Sequence, residues 1–274
     1  MSEVEIEQRI AVIGLGKLGG ILLRAFLDQQ LVSADRITAT VDHQENAEAR
    51  TKIFGLPVST DNLGAVKDAD IVLLCVKPAG VQALCGEIAP LMAGKLLISV
   101  AASVPTSAIE THLGNGGNVA VVRAMPNTPS VIGSGMTGLS PGRFATDEHL
   151  ALAKSLFDAV GRTIVLDEKH MDAVTGLSAS GPAFIYVVLE SLAEAGVKVG
   201  LPREVATLLA AQTTLGAAGM VLDSGSHPAL LKDEVTTPAG CTIDGLLELE
   251  EGGLRVTLIK AVVKATKRAA ELKG

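Results

Sequence analysis

Polar and apolar positions divide the chain in two. Up to about residue 167, short apolar runs alternate with stretches of helical periodicity, and beyond it the strand pattern stops. Residues 9–13, RIAVI, read as a buried strand, followed by GLGKLGG and then by ILLRAFLDQQL with apolar residues at helical spacing. RITATV (36–41) predicts a second strand, and DHQENAEARTKIFG a polar helix closed by Gly55. DIVLLCV (70–76), LLISVAA (96–102), VAVVRAMP (119–126) and TIVLD (163–167) predict four more strands. Short apolar strands separated by helices imply an α/β fold with a parallel sheet buried on both faces. Right-handed crossovers make such a sheet doubly wound. The second half predicts helices over 182–197, 202–225 and 252–272. The first of these is apolar almost all round through Leu189 and is expected to be buried. The division predicted is a dinucleotide-binding domain over 1–166 and an all-α domain over 167–274. So apolar a helical domain implies a homo-oligomer, at least a dimer.

Charge narrows the function classes. The net charge is −7, with acidic and basic residues mixed, and there is no Trp and one Tyr. A nucleic-acid partner would need a basic face or a stacking surface, so none is expected. The acidic N-terminus is unlike a secretory signal. No apolar run approaches the ~18 residues of a membrane span, so no membrane is expected. Cys75, Cys85 and Cys241 lack metal-type spacing; no metal is expected, and a reducing cytoplasm suits them.

The candidate chemistry begins at Gly14, Gly16 and Gly19, a G-x-G-x-x-G pattern between first strand and first helix. Gly14 permits the tight turn, Gly16 lets backbone approach a pyrophosphate, and Gly19 allows close helix–strand packing. The helix start, Lys17 and Leu18 with Gly19, supplies amides and the positive end of a dipole. The alternative is a tight turn without a ligand. Asp42 ends the second strand, 23 residues after Gly19. A carboxylate there favours a free ribose 2′-hydroxyl, hence NAD, although Asp42 as a helix cap is an equal reading. Val76, Lys77 and Pro78 end the third strand, and Ala101 and Ala102 the fourth, at the carboxyl edge where such sheets bind ligands. Lys77 reads equally as a surface charge. The histidines 43, 112, 149, 170 and 227 are scattered singles.

Several motifs in series then carry a resemblance: the glycine turn, VKP, RAMPNTP with Asn127 as a coenzyme-binding candidate, TGLSASGPAF with Gly181 as a substrate-binding candidate, AGVKVGLPR and LKDEVTTPAGCTI. Over nearly its full length the chain resembles pyrroline-5-carboxylate reductase. That resemblance implies reduction of a ring imine, 1-pyrroline-5-carboxylate, to L-proline with NAD(P)H, the last step of proline synthesis. It implies a Rossmann domain joined to a helical dimerisation domain, with a substrate site drawing on both subunits, and it assigns Thr242 to the substrate nitrogen. The chain departs from the family at Ala179 and Phe184, where Gly and Tyr are common, and at TPAG, where SPGG is common. Asp42 stands where members that use NADP often carry Arg.

The residues themselves suit such a substrate. Pro238 following Thr237 reads as a first helical position after an N-cap. Amides near Ala239, Gly240, Cys241 and Thr242 then face a carboxylate, and the hydroxyls of Thr237 and Thr242 can donate. Cys241 reads as a small filler. Competing readings are a 3-hydroxyacid or opine-type reductase and a nucleotide-sensing scaffold without catalysis. The former needs a Lys or His acid–base, because an alkoxide must be protonated or formed; TTPAGCT offers hydroxyls and amides instead.

Overall fold

A computed structural model describes residues 6–114 and 118–272. The chain divides into two compact units, one running to Ala179 and taking in the chain from Ala265 onwards, the other Ser180–Lys264.

Among the described residues, the first unit is built on eight strands: β1 (Ile10–Ile13), β2 (Ile37–Thr40), β3 (Val58–Ser59), β4 (Ile71–Leu74), β5 (Leu96–Ser99), β6 (Ala120–Met125), β7 (Gly135–Pro141) and β8 (Gly161–Val165). Their order in the sheet is β3-β2-β1-β4-β5-β6-β7-β8. Helices α1 (Lys17–Asp28), α2 (Gln44–Phe54), α3 (Asn62–Lys67), α4 (Val81–Ile88), α5 (Thr106–Leu113), α6 (Asp147–Asp158) and α7 (Met171–Val174) accompany it. Side chains alternate along each strand, so the sheet sorts its residues into two cores. Ile10 and Val12 pack with Leu22, Leu23 and Phe26 of α1. Ala11 and Ile13 join Leu84, Ile88 and Ile109 of α4 and α5.

Two strands lie outside the sequence reading, and one changes the sheet type. β7 pairs antiparallel to β6, with Met125 opposite Gly138. The chain reverses over a short turn, Thr128–Ile132, closed by Gly133 in the left-handed region at φ 69°. An antiparallel neighbour needs no crossover helix, so the sheet is mixed where a wholly parallel one was expected. Gly135 and Gly161 allow β7 and β8 to start side by side, since a Cβ on Gly161 would come within 2.5 Å of Gly135 backbone atoms.

The second unit is helical: α8 (Gly181–Lys198), α9 (Arg203–Ser224), α10 (Pro228–Val235), α11 (Cys241–Glu251) and α12 (Leu254–Glu271) to Lys264. α8 and α9 approach closely through small residues: a Cβ on Gly196 would lie 2.8 Å from the Ala206 Cβ. The expected burial of α8 is not met within one chain. Tyr186 and Val187 on α8 and Leu208 and Leu215 on α9 are all at least 60% exposed. Windows of 18 residues within 168–198 and 203–224 reach mean hydropathies of 1.3 and 1.6, so these stretches are long and apolar enough, by length and composition, to cross a membrane. This corrects the expectation of no such run; Ala, Val and Leu are spread between few charges rather than concentrated.

Candidate functional site

The glycine turn shapes the head of a crevice. Gly14 has φ +92°, and a Cβ on it would meet Val76 Cγ1 at 2.8 Å. The amides of Gly14 and Leu15 both donate to the Thr40 carbonyl, at 3.1 and 2.8 Å, which ties the turn to the end of β2. A Cβ on Gly19 would lie 2.6 Å from the Gly14 carbonyl oxygen, so α1 can start this close only with glycine there. Gly16 caps α1, and its missing Cβ faces open space. The first turn of α1 contains no acidic side chain. Its free amides and positive dipole therefore remain available to an anion. Lys17 is exposed beside them, whereas Leu18 packs partly against the core and offers only its backbone.

The crevice of about 560 Å³ is lined by the turn and by Thr40, Asp42, Asn46, Arg50, Asn62, Val76, Lys77 and Glu87. Thr40 Oγ1 donates to Asn62 Oδ1 at 2.8 Å, and Asn62 Nδ2 donates to Glu87 Oε2 at 3.1 Å, fixing the polar floor. The residue capping α2 is His43, not Asp42. That removes the capping reading of Asp42, whose carboxylate is 79% exposed and lies 3.7 Å from the His43 Nε2. Cys75 packs under Gly19, and burial pushes its thiol up to about 12, so it acts as filler. These features fit a dinucleotide: glycines where a Cβ would block the turn, an uncompensated helix start, and a carboxylate at the end of β2.

The remaining coenzyme candidates fall at other strand ends. Pro78 opens a short turn, Pro78–Gly80, and Ala101 is buried after β5. Ala102 precedes Ser103, which has φ 63° and whose hydroxyl donates to the Ala269 carbonyl of α12 at 2.8 Å. Asn127 has its side-chain amide engaged at both ends, by Met136 and Ser178.

Sequence reasoning missed a buried charge network. Arg123 on β6 is fully buried, with Glu168 Oε1 at 3.5 Å and Asp172 Oδ1 at 3.9 Å. Glu168 also accepts from the amide and the hydroxyl of Thr106, both at 2.8 Å. The network pins the start of α5 and the segment before α7 to the sheet. The signal was a single Arg inside the apolar run VAVVRAMP.

In the second unit, Thr237–Gly240 form a β-turn, with the Gly240 amide donating to the Thr237 carbonyl at 3.1 Å. Pro238 and Ala239 are its central residues, and Ala239 has φ +57°. This corrects the expected helix start: Pro238 presets a turn rather than a helix, and α11 begins at Cys241 behind Gly240. Thr237 is therefore not the helix cap. A Cβ on Gly240 would collide with Thr237 Oγ1. Among the described residues, no side chain caps α11. The first-turn amides, Cys241, Thr242 and Ile243, thus lack helical partners, beside the half-buried Thr242. The structure gathers Thr237, Ala239, Gly240, Cys241 and Thr242 into this one helix entrance. Gly181 sits at another, as the first residue of α8.

Comparison with known proteins agrees with this layout. Residues 168–272 match the family model for pyrroline-5-carboxylate reductase dimerisation, and residues 9–103 that for NADP oxidoreductase, coenzyme F420-dependent. The pyrroline-5-carboxylate reductase of Methanosarcina acetivorans is 42% identical over 97% of this chain and 98% of its own. That of Arabidopsis thaliana is 42% identical over 96% of this chain and 95% of its own. The solved structure of a pyrroline-5-carboxylate reductase from Coxiella burnetii superposes with a TM-score of 0.89 at 34% identity, covering 98% of this chain and 100% of that one. The Plasmodium falciparum pyrroline carboxylate reductase, solved with NADP bound, superposes with a TM-score of 0.89 at 27% identity, covering 98% and 100%. With relatives this similar along almost its entire length, the chain belongs to the pyrroline-5-carboxylate reductase family.

Proposed function

We propose that this chain reduces 1-pyrroline-5-carboxylate to L-proline, with the coenzyme in the crevice beside Gly14, Gly16 and Gly19 and the substrate at the entrance of α11. NAD(P)H, when bound, supplies the hydride. The observation that carries the reading is the uncapped start of α11 beside Thr242. A substrate carboxylate replaces the missing cap by accepting from the amides of Cys241 and Thr242 and from the Thr237 hydroxyl, and the helix dipole favours its charge. Thr242 then hydrogen-bonds the ring nitrogen. A threonine hydroxyl is too weak an acid to protonate that nitrogen by itself, so the imine binds already protonated or a water relays the proton. No Lys or His lies in the stretch 236–245 to serve an alkoxide, which favours an imine over a 3-hydroxyacid.

Small residues after β5, Ala101 and Ala102, leave room for a nicotinamide ring. Asp42 biases the crevice towards NADH, since its carboxylate accepts from a ribose 2′-hydroxyl and repels a 2′-phosphate. We take the coenzyme domain as 1–166 and the helical domain as 167–274, and the helical domain as the contact of a dimer at least. The exposed apolar side chains of α8 and α9 support this, because a monomer rarely leaves so much apolar surface in contact with water. Cytoplasmic residence suits three free thiols.

Thr242→Ala tests the site. Turnover with pyrroline-5-carboxylate falls about 10- to 1000-fold, the range for losing one positioned donor, while KM for the coenzyme holds. An unchanged kcat removes Thr242 from the mechanism.

A further inference from the structure

Asn127 follows β6 and joins three segments through one side chain. Its Oδ1 accepts from the Met136 amide at 2.9 Å. Its Nδ2 donates to the Ser178 carbonyl at 3.2 Å, with Ser178 Oγ at 3.4 Å. Ser178 belongs to a π turn, Thr175–Ala179, that runs directly into α8. In a continuous α-helix its carbonyl would accept from the residue four positions on. That residue is Pro182, which has no N–H and whose ring crowds the same carbonyl. The chain widens at this point, as helices do where the regular ladder is interrupted, and the Asn127 amide provides the donor that proline lacks. The turn is held from its other side too. Gly176 lies flush on α12, where a Cβ would come within 2.8 Å of the Thr266 amide nitrogen.

We propose that Asn127 is a positioning residue for the reductase reaction rather than a coenzyme ligand: it holds the Ser178 carbonyl that Pro182 leaves without a helical donor, and so sets the backbone from which α8 and Gly181 begin. This rests on the reaction proposed above. It also separates two roles that the RAMPNTP motif leaves merged, contact with the coenzyme and support of the turn.

The test is Asn127→Asp in two backgrounds. The substitution is nearly isosteric, keeps the acceptor for Met136, and turns an acceptor towards the Ser178 carbonyl. In the otherwise natural enzyme, kcat falls about tenfold, the scale of a small misplacement of reacting groups. KM for NADH stays within about twofold, because no coenzyme contact is lost. The melting temperature also falls. In a Pro182→Ala background, residue 182 regains an N–H, and the same substitution lowers the melting temperature by less than about half as much, the sign of a coupled pair. Should Asn127→Asp alone not fold, a double variant that folds gives the same answer. A rise in NADH KM with kcat intact overturns the proposal, as do equal melting losses in both backgrounds or a double variant that also fails to fold. Natural enzyme inactive on pyrroline-5-carboxylate would sink the assigned reaction instead, and the melting comparison would still be readable.

Discussion

Ala239 stands in the left-handed region at φ +57°, in the turn that leads into α11. For an L-residue that conformation costs roughly 1–2 kcal/mol. The turn cannot relax to avoid it. Pro238 fixes the preceding φ, the Gly240 amide is bonded to the Thr237 carbonyl at 3.1 Å, and the missing Cβ of Gly240 is packed against Thr237 Oγ1. Ala239→Gly removes the strain, while the greater freedom of glycine in the unfolded chain returns roughly 0.5–1 kcal/mol. The net expectation is a gain of about 0.5–1 kcal/mol, or about 2–4 °C per kcal/mol in a chain of this size. Ala239→Val goes the other way, because a β-branched residue is worse still in this region. Thermal unfolding by circular dichroism measures both, at one protein concentration, since an oligomer's midpoint depends on it. KM for pyrroline-5-carboxylate moves less than about twofold in Ala239→Gly because the turn keeps its shape. A loss of stability in the glycine variant, together with tolerance of valine, would refute the strained turn.

Two further substitutions address the coenzyme domain. Asp42→Ser raises the ratio of kcat/KM for NADPH over NADH, because it removes a negative charge that would face a 2′-phosphate; an unmoved ratio frees Asp42 from any coenzyme role. Glu168→Ala leaves the fully buried Arg123 with Asp172 as its remaining carboxylate, 3.9 Å away. It should cost about 3 kcal/mol in chemical denaturation, the low end for breaking a buried ion pair. Adding Arg123→Met should recover part of that loss, and no recovery would mean Glu168 acts through Thr106 alone.

What the sequence made legible follows from burial. β1, β4, β5 and β6 are buried on both faces, so each appears as an apolar run bounded by polar or glycine-rich turns. β7, GMTGLSP, carries two glycines and a proline and reads as loop. It is a strand because β6 lies alongside it, and that partner is set by tertiary structure, not by its own residues. The start of α11 misled for a related reason: proline after threonine suits a helix cap and a β-turn equally, and Gly240 against Thr237 Oγ1 decides for the turn. The composition of α8 predicts burial, yet Tyr186 and Val187 are exposed within one chain; periodicity reports that a face is to be covered and not by which molecule. The link of Ser103 to Ala269 spans 166 positions and leaves no local signal at all. The glycine turn, by contrast, is legible in full: Gly14 and Gly19 answer to close approaches of a strand end and of the turn itself, and Gly16 leaves open space beside the helix start.

The central claim is that this chain delivers hydride to a ring imine bound by its carboxylate. The direct measurement is NADH oxidation on addition of pyrroline-5-carboxylate to the folded protein, with proline quantified in the same sample. The account predicts one proline formed per NADH consumed, with NADPH less efficient. Folded protein that oxidises neither coenzyme in the presence of pyrroline-5-carboxylate would contradict it.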